Sequence, residues 1–171
     1  MKNLSKLILL AMVAVLLTNC KKDDPVNASP VGTWKMTDIN CNDGRTSFEL
    51  LGTPVTTTYS FHGTEYNTTT TFTENPNEFT STGSYKFEIT TVFLGQSDTQ
   101  TTEVDAFAGT GEWSINGDIL TQIFAGDTTE VKILELSGSK MRLRQDIDAV
   151  VNDAGTEIHD QATVFTTFEK Q

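Results

Sequence analysis

The sequence predicts an all-β protein, an antiparallel up-and-down β-barrel of about eight to ten strands. From residue 31 onward, apolar and polar residues alternate with the period of two that marks a strand with one face in a core. Threonine is abundant there, and its β-branched side chain suits a pleated, half-exposed surface. Many short strands joined by hairpins favour a meander, and closure into a barrel removes its exposed edges.

The individual strands follow from this alternation, taken in chain order. Around Tyr59 and Phe61, and again around Tyr85 and Phe87, aromatic residues recur at every second position with polar residues between them. Such residues share one face of a strand. The predicted strands are 32–39, 56–62, 66–73, 78–93 with an interruption allowed at Gly83, 100–107, 110–116, 119–125, 128–136, 140–146 and 161–169.

Short turn sequences connect these strands. Asn116-Gly117 is the strongest hairpin signal, because it lies between two apolar runs and favours the two-residue turn of a β-hairpin. Asn42-Asp43-Gly44 is also predicted to be a turn, directly after Cys41. The other predicted turns are Asn75-Pro76-Asn77, Ala125-Gly126-Asp127 and Ser137-Gly138-Ser139.

The N-terminal segment predicts a secretory signal. Lys2 and Lys6 give a basic start, and residues 7–17 form an apolar run. This run is too short to cross a bilayer core, which needs about 20 residues. The sequence Leu17-Thr18-Asn19-Cys20 resembles the lipobox of bacterial lipoproteins, with Asn19 where glycine or alanine is usual. The resemblance implies that the signal is removed and that Cys20 carries a lipid, which attaches the protein to a membrane.

The chain is therefore predicted to have a signal peptide (1–19), a lipidated cysteine with a tether (20–30) and one barrel domain (31–171). Residues 21–24 are Lys-Lys-Asp-Asp and resemble the export signal of Bacteroidetes-type surface lipoproteins. They can also serve only as a hydrated spacer. We expect an outer-membrane lipoprotein, with display at the cell surface slightly favoured over a periplasmic face.

Charge and cysteine content restrict the classes of partner. The net charge of −11 disfavours binding to nucleic acid, which depends on Lys and Arg neutralising phosphates. If lipidation uses Cys20, Cys41 is unpaired and no disulfide framework exists. Cys41 is then either a small packing residue or a reactive thiol, and no neighbouring His or Lys lowers its pKa.

The residues needed for catalysis are not gathered in any recognisable motif. His62 and His159 lie at no metal-ligand spacing from each other or from a cysteine. A nucleophile elbow, a phosphate-binding glycine loop and a zinc motif are missing. The sequence therefore predicts a protein that is not an enzyme and that holds no metal or cofactor.

Two local sequences leave alternatives open. Residues 146–160 collect several carboxylate and amide oxygens in one predicted loop, which is either a calcium site or a hydrated hairpin connection. The spacing does not match an EF-hand. Asp127-Thr128-Thr129 resembles a bacterial O-glycosylation sequence, which implies a sugar on Thr128.

A family resemblance begins at Gly32-Thr33-Trp34, on the first strand after the tether. This sequence is similar to the start of lipocalins, and particularly of bacterial lipocalin-like lipoproteins. Residues 111–120 resemble a second recurrent hairpin of those domains. The resemblance implies that Trp34, with Gly32, seals one end of the barrel and that an arginine packs over its ring. Arg142 or Arg144 is expected to supply this cation, unless both face solvent.

The resemblance also implies a function. An eight-stranded barrel is either filled by its side chains or holds one small ligand. We expect non-catalytic binding of a small apolar or amphipathic ligand. The alternative is a surface structural or interaction protein whose barrel is filled. The residues expected to line a cavity are Tyr59, Phe61, Tyr66, Phe72, Tyr85, Phe87, Ile89 and Phe107.

Overall fold

The computed structural model describes residues 29–105, 109–153 and 155–171, and its regular structure is entirely β. The predicted signal peptide, Cys20 and Phe107 lie outside the described residues. The eleven strands are β1 (Gly32–Leu50), β2 (Thr53–Tyr66), β3 (Thr69–Thr73), β4 (Glu78–Thr82), β5 (Ser84–Phe93), β6 (Gln96–Asp105), β7 (Gly109–Asn116), β8 (Ile119–Phe124), β9 (Asp127–Leu136), β10 (Lys140–Asp153) and β11 (Thr156–Lys170).

Eight of these strands close into an antiparallel barrel, which confirms the predicted fold class. The hydrogen-bonded ring runs β1-β3-β4-β7-β8-β9-β10-β11 and returns to β1. The predicted hairpin at Asn116-Gly117 joins β7 to β8, with Asn116 opposite Ile119. The predicted interruption at Gly83 separates β4 from β5. A Cβ at Gly83 would overlap the carbonyl oxygen of Asn67, so only glycine fits there.

A second region continues from one end of this ring, and we call it the extension. Its strand order is β10-β11-β1-β2-β5-β6. The extension consists of residues 41–50 of β1, β2, β5, β6, residues 145–153 of β10 and residues 156–164 of β11. In the described part of the chain, β6 pairs only with β5, and residues 145–153 pair only with β11. The extension is therefore an open sheet with two unpaired edges.

The predicted turn at Asn42-Asp43-Gly44 is wrong. β1 continues through it to Leu50, with a register shift between Cys41 and Gly44 against β2. The Asp43 carboxylate accepts a hydrogen bond from the backbone amide of Thr163 (2.9 Å), a residue distant in sequence. This long-range bond gives the Asp43 carboxylate a partner within a β-bulge, so the chain continues as a strand here and does not form a turn.

The predicted loop within residues 146–160 is also wrong. β10 and β11 pair continuously from Asp146–Thr163 to Asp153–Thr156, so most of the segment is a long hairpin. Ile147 and Ala149 keep the inward side of the alternation, while Asp148 is exposed. The acidic residues therefore lie along paired strands, because the alternation continues past the point where acidic residues suggest a loop.

The other end of the barrel is sealed, and we call it the base. Trp34 is fully buried there, and its indole Nε1 donates to the carbonyl oxygen of Pro30 (2.6 Å). The Lys170 ammonium lies 5.2 Å from the Trp34 ring centroid and donates to the carbonyl oxygen of Val31 (2.9 Å). Gly32 has φ +129°, and its missing Cβ leaves room for the Lys170 stem. These contacts give Gly32 and Trp34 the positions expected of a sealed barrel end.

The cation over Trp34 is thus Lys170, and neither Arg142 nor Arg144 occupies that position. Arg142 lies over the Phe165 ring (5.3 Å), and Arg144 pairs with Asp146 (2.8 Å). The reason is the register of the last strand, which sets Lys170 directly opposite Trp34 on β1.

Candidate ligand-binding cavity

An internal cavity of about 390 Å³ lies within the barrel between the base and the extension. Its wall is predominantly apolar, and strands on every side of the ring contribute to it except β7. Trp34 and Trp113 do not line it and belong to the core. The lining residues are Met36, Ile39, Phe61, Thr68, Thr70, Phe72, Phe79, Ser81, Tyr85, Gln122, Phe124, Asp127, Thr129, Val131, Met141, Leu143, Gln145, Val164, Thr166 and Phe168.

The cavity meets solvent near the β8–β9 turn, and we call this side the mouth. Asp127 is exposed there, whereas Gln122, Phe124 and Gln145 are half-buried. Deeper in the cavity Phe72, Met141 and Phe168 are buried. A molecule entering from the mouth would therefore pass half-exposed side chains before it reached these buried aromatic and aliphatic ones.

Three of the residues predicted from the sequence lie on the cavity wall: Phe61, Phe72 and Tyr85. Phe87 lies behind them, with its ring centroid 5.4 Å from that of Phe61 and 6.1 Å from that of Tyr85. Phe87 therefore positions two wall residues without lining the cavity itself. Ile89, next along β5, is half-buried and also away from the wall.

Tyr59 and Tyr66 lie away from the cavity too. The Tyr59 hydroxyl donates to the carboxylate of Asp160 (3.1 Å), which also accepts from Thr46 (2.9 Å). Burial, followed by the hydrogen bond to Asp160, raises the pKa of Tyr59 well above its ordinary value. The Tyr66 ring covers Gly63, and burial also raises the pKa of the Tyr66 hydroxyl. The inward-facing alternation of the extension thus borders the cavity at Phe61 and Tyr85 but not at Tyr59 or Tyr66.

Three buried hydroxyl groups that the sequence did not single out also line the cavity. Thr68, Thr70 and Ser81 are the buried polar residues of the described chain. Thr70 and Ser81 are hydrogen-bonded to each other through their hydroxyl oxygens (2.8 Å). Their signal in the sequence was the alternation itself, since Thr68 and Thr70 recur with the inward-facing Phe72 at every second position.

The comparison with family models identifies the fold's relatives. A model described as the lipocalin-like domain matches residues 31–143, which is well over half of the chain. The chain belongs to the lipocalin-like domain family. Comparisons with curated proteins and with solved structures found no match. Members of the lipocalin-like family are in general non-enzymatic binding proteins, so the family supports a ligand-binding or other non-catalytic role.

The remaining chemically reactive residues of this lipocalin-like domain lie outside the cavity. Cys41 is fully buried, its thiol donates to Asp43 (3.7 Å), and burial raises its pKa. His62 is paired with Glu88 (3.6 Å) on the surface, and His159 with Glu157 (3.3 Å). The packing interpretation therefore fits Cys41 better than the reactive one.

Within residues 29–105, 109–153 and 155–171, no group of three or more His, Cys, Asp or Glu side chains could hold a metal ion. Those ranges contain no helix with the length and hydropathy needed to cross a membrane. Thr128, where a sugar was predicted, is exposed at the start of β9.

Proposed function

We propose that this lipocalin-like domain is a non-catalytic binding module that holds one small apolar or amphipathic molecule in its barrel. The cavity carries this proposal. Its volume of about 390 Å³ falls in the range of small-molecule sites, and its wall is predominantly apolar. Burial of a ligand's apolar surface against such a wall supplies binding free energy of about 25 cal/mol per Å².

The alternative, an interaction protein with a filled barrel, is supported less well. A filled barrel would leave its inward-facing side chains fully buried, as Trp34 and Leu120 are in the base. Around the cavity, Phe61 and Tyr85 are only half-buried, although they face inward. The open volume therefore favours ligand binding.

Binding can be tested with phenylnaphthylamine, an uncharged dye whose fluorescence rises in apolar sites. The purified protein is expected to bind it, and Thr166→Trp is expected to abolish binding because the indole would occupy the cavity. Thr167→Trp is the matched control, since Thr167 is the next residue of β11 and does not line the cavity. Equal dye binding by both variants would refute a site in the barrel.

We also propose that the protein is an outer-membrane lipoprotein attached through Cys20. The basic start, the short apolar run and the lipobox-like sequence support this proposal.

The attachment is tested in a bacterial host that processes lipoproteins. The intact mass of the purified wild-type protein should correspond to a chain that starts at a lipidated Cys20. The Cys20→Ala variant should lack the lipid and keep residues 1–19. The wild-type mass would also reveal a sugar on Thr128. Protease treatment of whole cells distinguishes surface display from a periplasmic face. A wild-type chain that retains residues 1–19 would contradict the proposed processing.

A further inference from the structure

The buried hydroxyl groups of the cavity are concentrated in one patch. Thr68, Thr70 and Ser81 are 3%, 6% and 7% exposed, and all three line the cavity. Thr70 and Thr68 are two residues apart on one face of the chain, and Ser81 lies opposite Thr70 across the β3–β4 pair. We call these three residues the hydroxyl patch.

Thr68 has hydrogen-bonding capacity that the protein leaves unused. Among the described residues, its Oγ1 is the buried side-chain oxygen without a hydrogen-bond partner. A hydroxyl can donate once and accept twice, so the Thr70–Ser81 pair also retains one donor hydrogen. Buried polar groups normally have partners. The Thr68 Oγ1 atom is shielded from the cavity, and a turn of the side chain about its Cα–Cβ bond would present it to a molecule there.

The backbone around Thr68 is fixed by two hydrogen bonds. The carbonyl oxygen of Thr68 accepts from the amide of Met36 (3.1 Å), and the amide of Asn67 donates to the carbonyl oxygen of Ser84 (2.9 Å). These bonds hold the interruption between β2 and β3 in place. The backbone of Thr68 is therefore held at the cavity wall by neighbouring strands.

The charges around the cavity restrict the ligand further. None of the described lining residues is Lys, Arg or His, and the carboxyl group among them is that of Asp127 at the mouth. A ligand carboxylate or phosphate would lose its water without gaining a cation, which is strongly unfavourable. Hydroxyl groups can instead serve an uncharged donor or acceptor.

We propose that the cavity takes an uncharged ligand with an apolar body and one hydroxyl or carbonyl group, bound at the hydroxyl patch. This inference deepens the proposed function and rests on it. The ligand's polar group would bond to the free hydrogen of the Thr70–Ser81 pair and, once the Thr68 side chain turns toward the cavity, to its Oγ1. Its apolar body would lie against Phe72, Met141 and Phe168, which are buried in the same wall.

Three compounds of the same size and different polarity test this inference: pentylbenzene, phenylpentanol and phenylpentanoate. Each is titrated as a competitor of phenylnaphthylamine near pH 7, where the carboxylate is ionised. We expect phenylpentanol to bind most tightly. Phenylpentanoate should be at least ~10-fold weaker, because its charge is desolvated without a partner.

The variant Thr68→Val removes the hydroxyl and keeps the shape of the side chain. The variant should weaken the binding of phenylpentanol about fivefold, which is the effect of losing one hydrogen bond, and leave the binding of pentylbenzene unchanged. Thr69→Val is the matched control, because Thr69 is the next residue of the chain and does not line the cavity. Ser81→Ala is a second, independent test, and it should also weaken the binding of phenylpentanol alone.

The outcomes separate the two proposals. If none of the three compounds displaces the dye and the dye itself does not bind, the proposed function fails. If pentylbenzene and phenylpentanol compete equally in wild type and in Thr68→Val, water satisfies the hydroxyl patch and the inference is overturned while ligand binding stands. Preferential binding of phenylpentanoate would also overturn it.

Discussion

The base and the extension share strands, yet they differ in what surrounds those strands. In the base every strand has two neighbours, and Trp34, Leu120 and Met141 are fully buried. In the extension β6 has one neighbour, and nearly all of its residues are exposed. Burial and pairing set the local free energy of opening, so the base should carry most of the stability. The comparison shows that ring closure, more than strand length, builds the core.

The largest expected difference comes from removing one aromatic residue in each region. Trp34→Ala should lower the free energy of unfolding by about 3–5 kcal/mol, because it leaves a cavity in the base. Phe93→Ala in the extension should cost less than about 1 kcal/mol, because Phe93 is 39% exposed. Denaturant titration of both variants measures this, and similar losses would contradict the comparison.

Two glycines sharpen the comparison at the level of the backbone. A Cβ at Gly111 in the barrel would overlap the carbonyl oxygen of Ile123, whereas a Cβ at Gly44 in the extension would overlap the Tyr59 ring. A ring can move aside and a paired backbone cannot. Gly111→Ala should therefore cost about 2–3 kcal/mol and Gly44→Ala about 1 kcal/mol.

Gly138→Ala is the control for both glycine variants, since nothing lies within 4 Å of its Cβ position. Its stability should be unchanged. Hydrogen exchange should show faster opening confined to the extension in Gly44→Ala, and faster opening of the whole barrel in Gly111→Ala. A whole-barrel effect of Gly44→Ala would show that the two regions unfold together.

The cation over Trp34 is expected to contribute a smaller amount to the base. Lys170→Ala should lower the free energy of unfolding by about 1 kcal/mol, because it loses the ring contact and an exposed hydrogen bond. Lys170→Arg should retain most of this stabilisation. Lys35→Ala removes an exposed charge from the same end of β1 and should have no effect. If Lys35→Ala lowered the free energy of unfolding as much as Lys170→Ala does, the change in net charge alone would explain the effect.

The smallest effect concerns the bulge in the extension and depends on pH. The hydrogen bond from the Thr163 amide lowers the pKa of Asp43 below its ordinary value of 3.8. Its contribution to stability is therefore present above pH 3.8 and is lost as the pH falls through the lower pKa of the folded state. Asp43→Asn keeps an acceptor oxygen and should abolish this dependence. Parallel stability–pH curves of the two proteins would contradict the assignment.

Much of the barrel could be predicted because its determinants are local. Alternation located the strands, Asn116-Gly117 located a hairpin and Gly83 located an interruption. The bulge at Asp43 could not be predicted, because its partner is the amide of Thr163 on the last strand. Lys170 was missed for the same reason, since only the β1–β11 register brings it to Trp34.

The candidate site was predicted in part. Alternation selected Phe61, Phe72 and Tyr85, but it cannot say where along a strand the barrel ends, so Tyr59 was included with them. The importance of Thr68 depends on the absence of a hydrogen-bond partner, which is a property of three-dimensional neighbours. Because the chain is rich in threonine, nothing in the local sequence distinguishes Thr68 from the other threonines.

The turns at the far end of the extension have a consequence for engineering. Leu51 (φ +53°) and Leu94 (φ +47°) each precede a glycine of positive φ in a two-residue turn, and they are 99% and 82% exposed. Such turns favour asparagine followed by glycine, and leucine in this conformation costs about 1 kcal/mol. Leu51→Asn and Leu94→Asn should therefore raise both thermal stability and solubility, an improvement available without touching the barrel or its cavity.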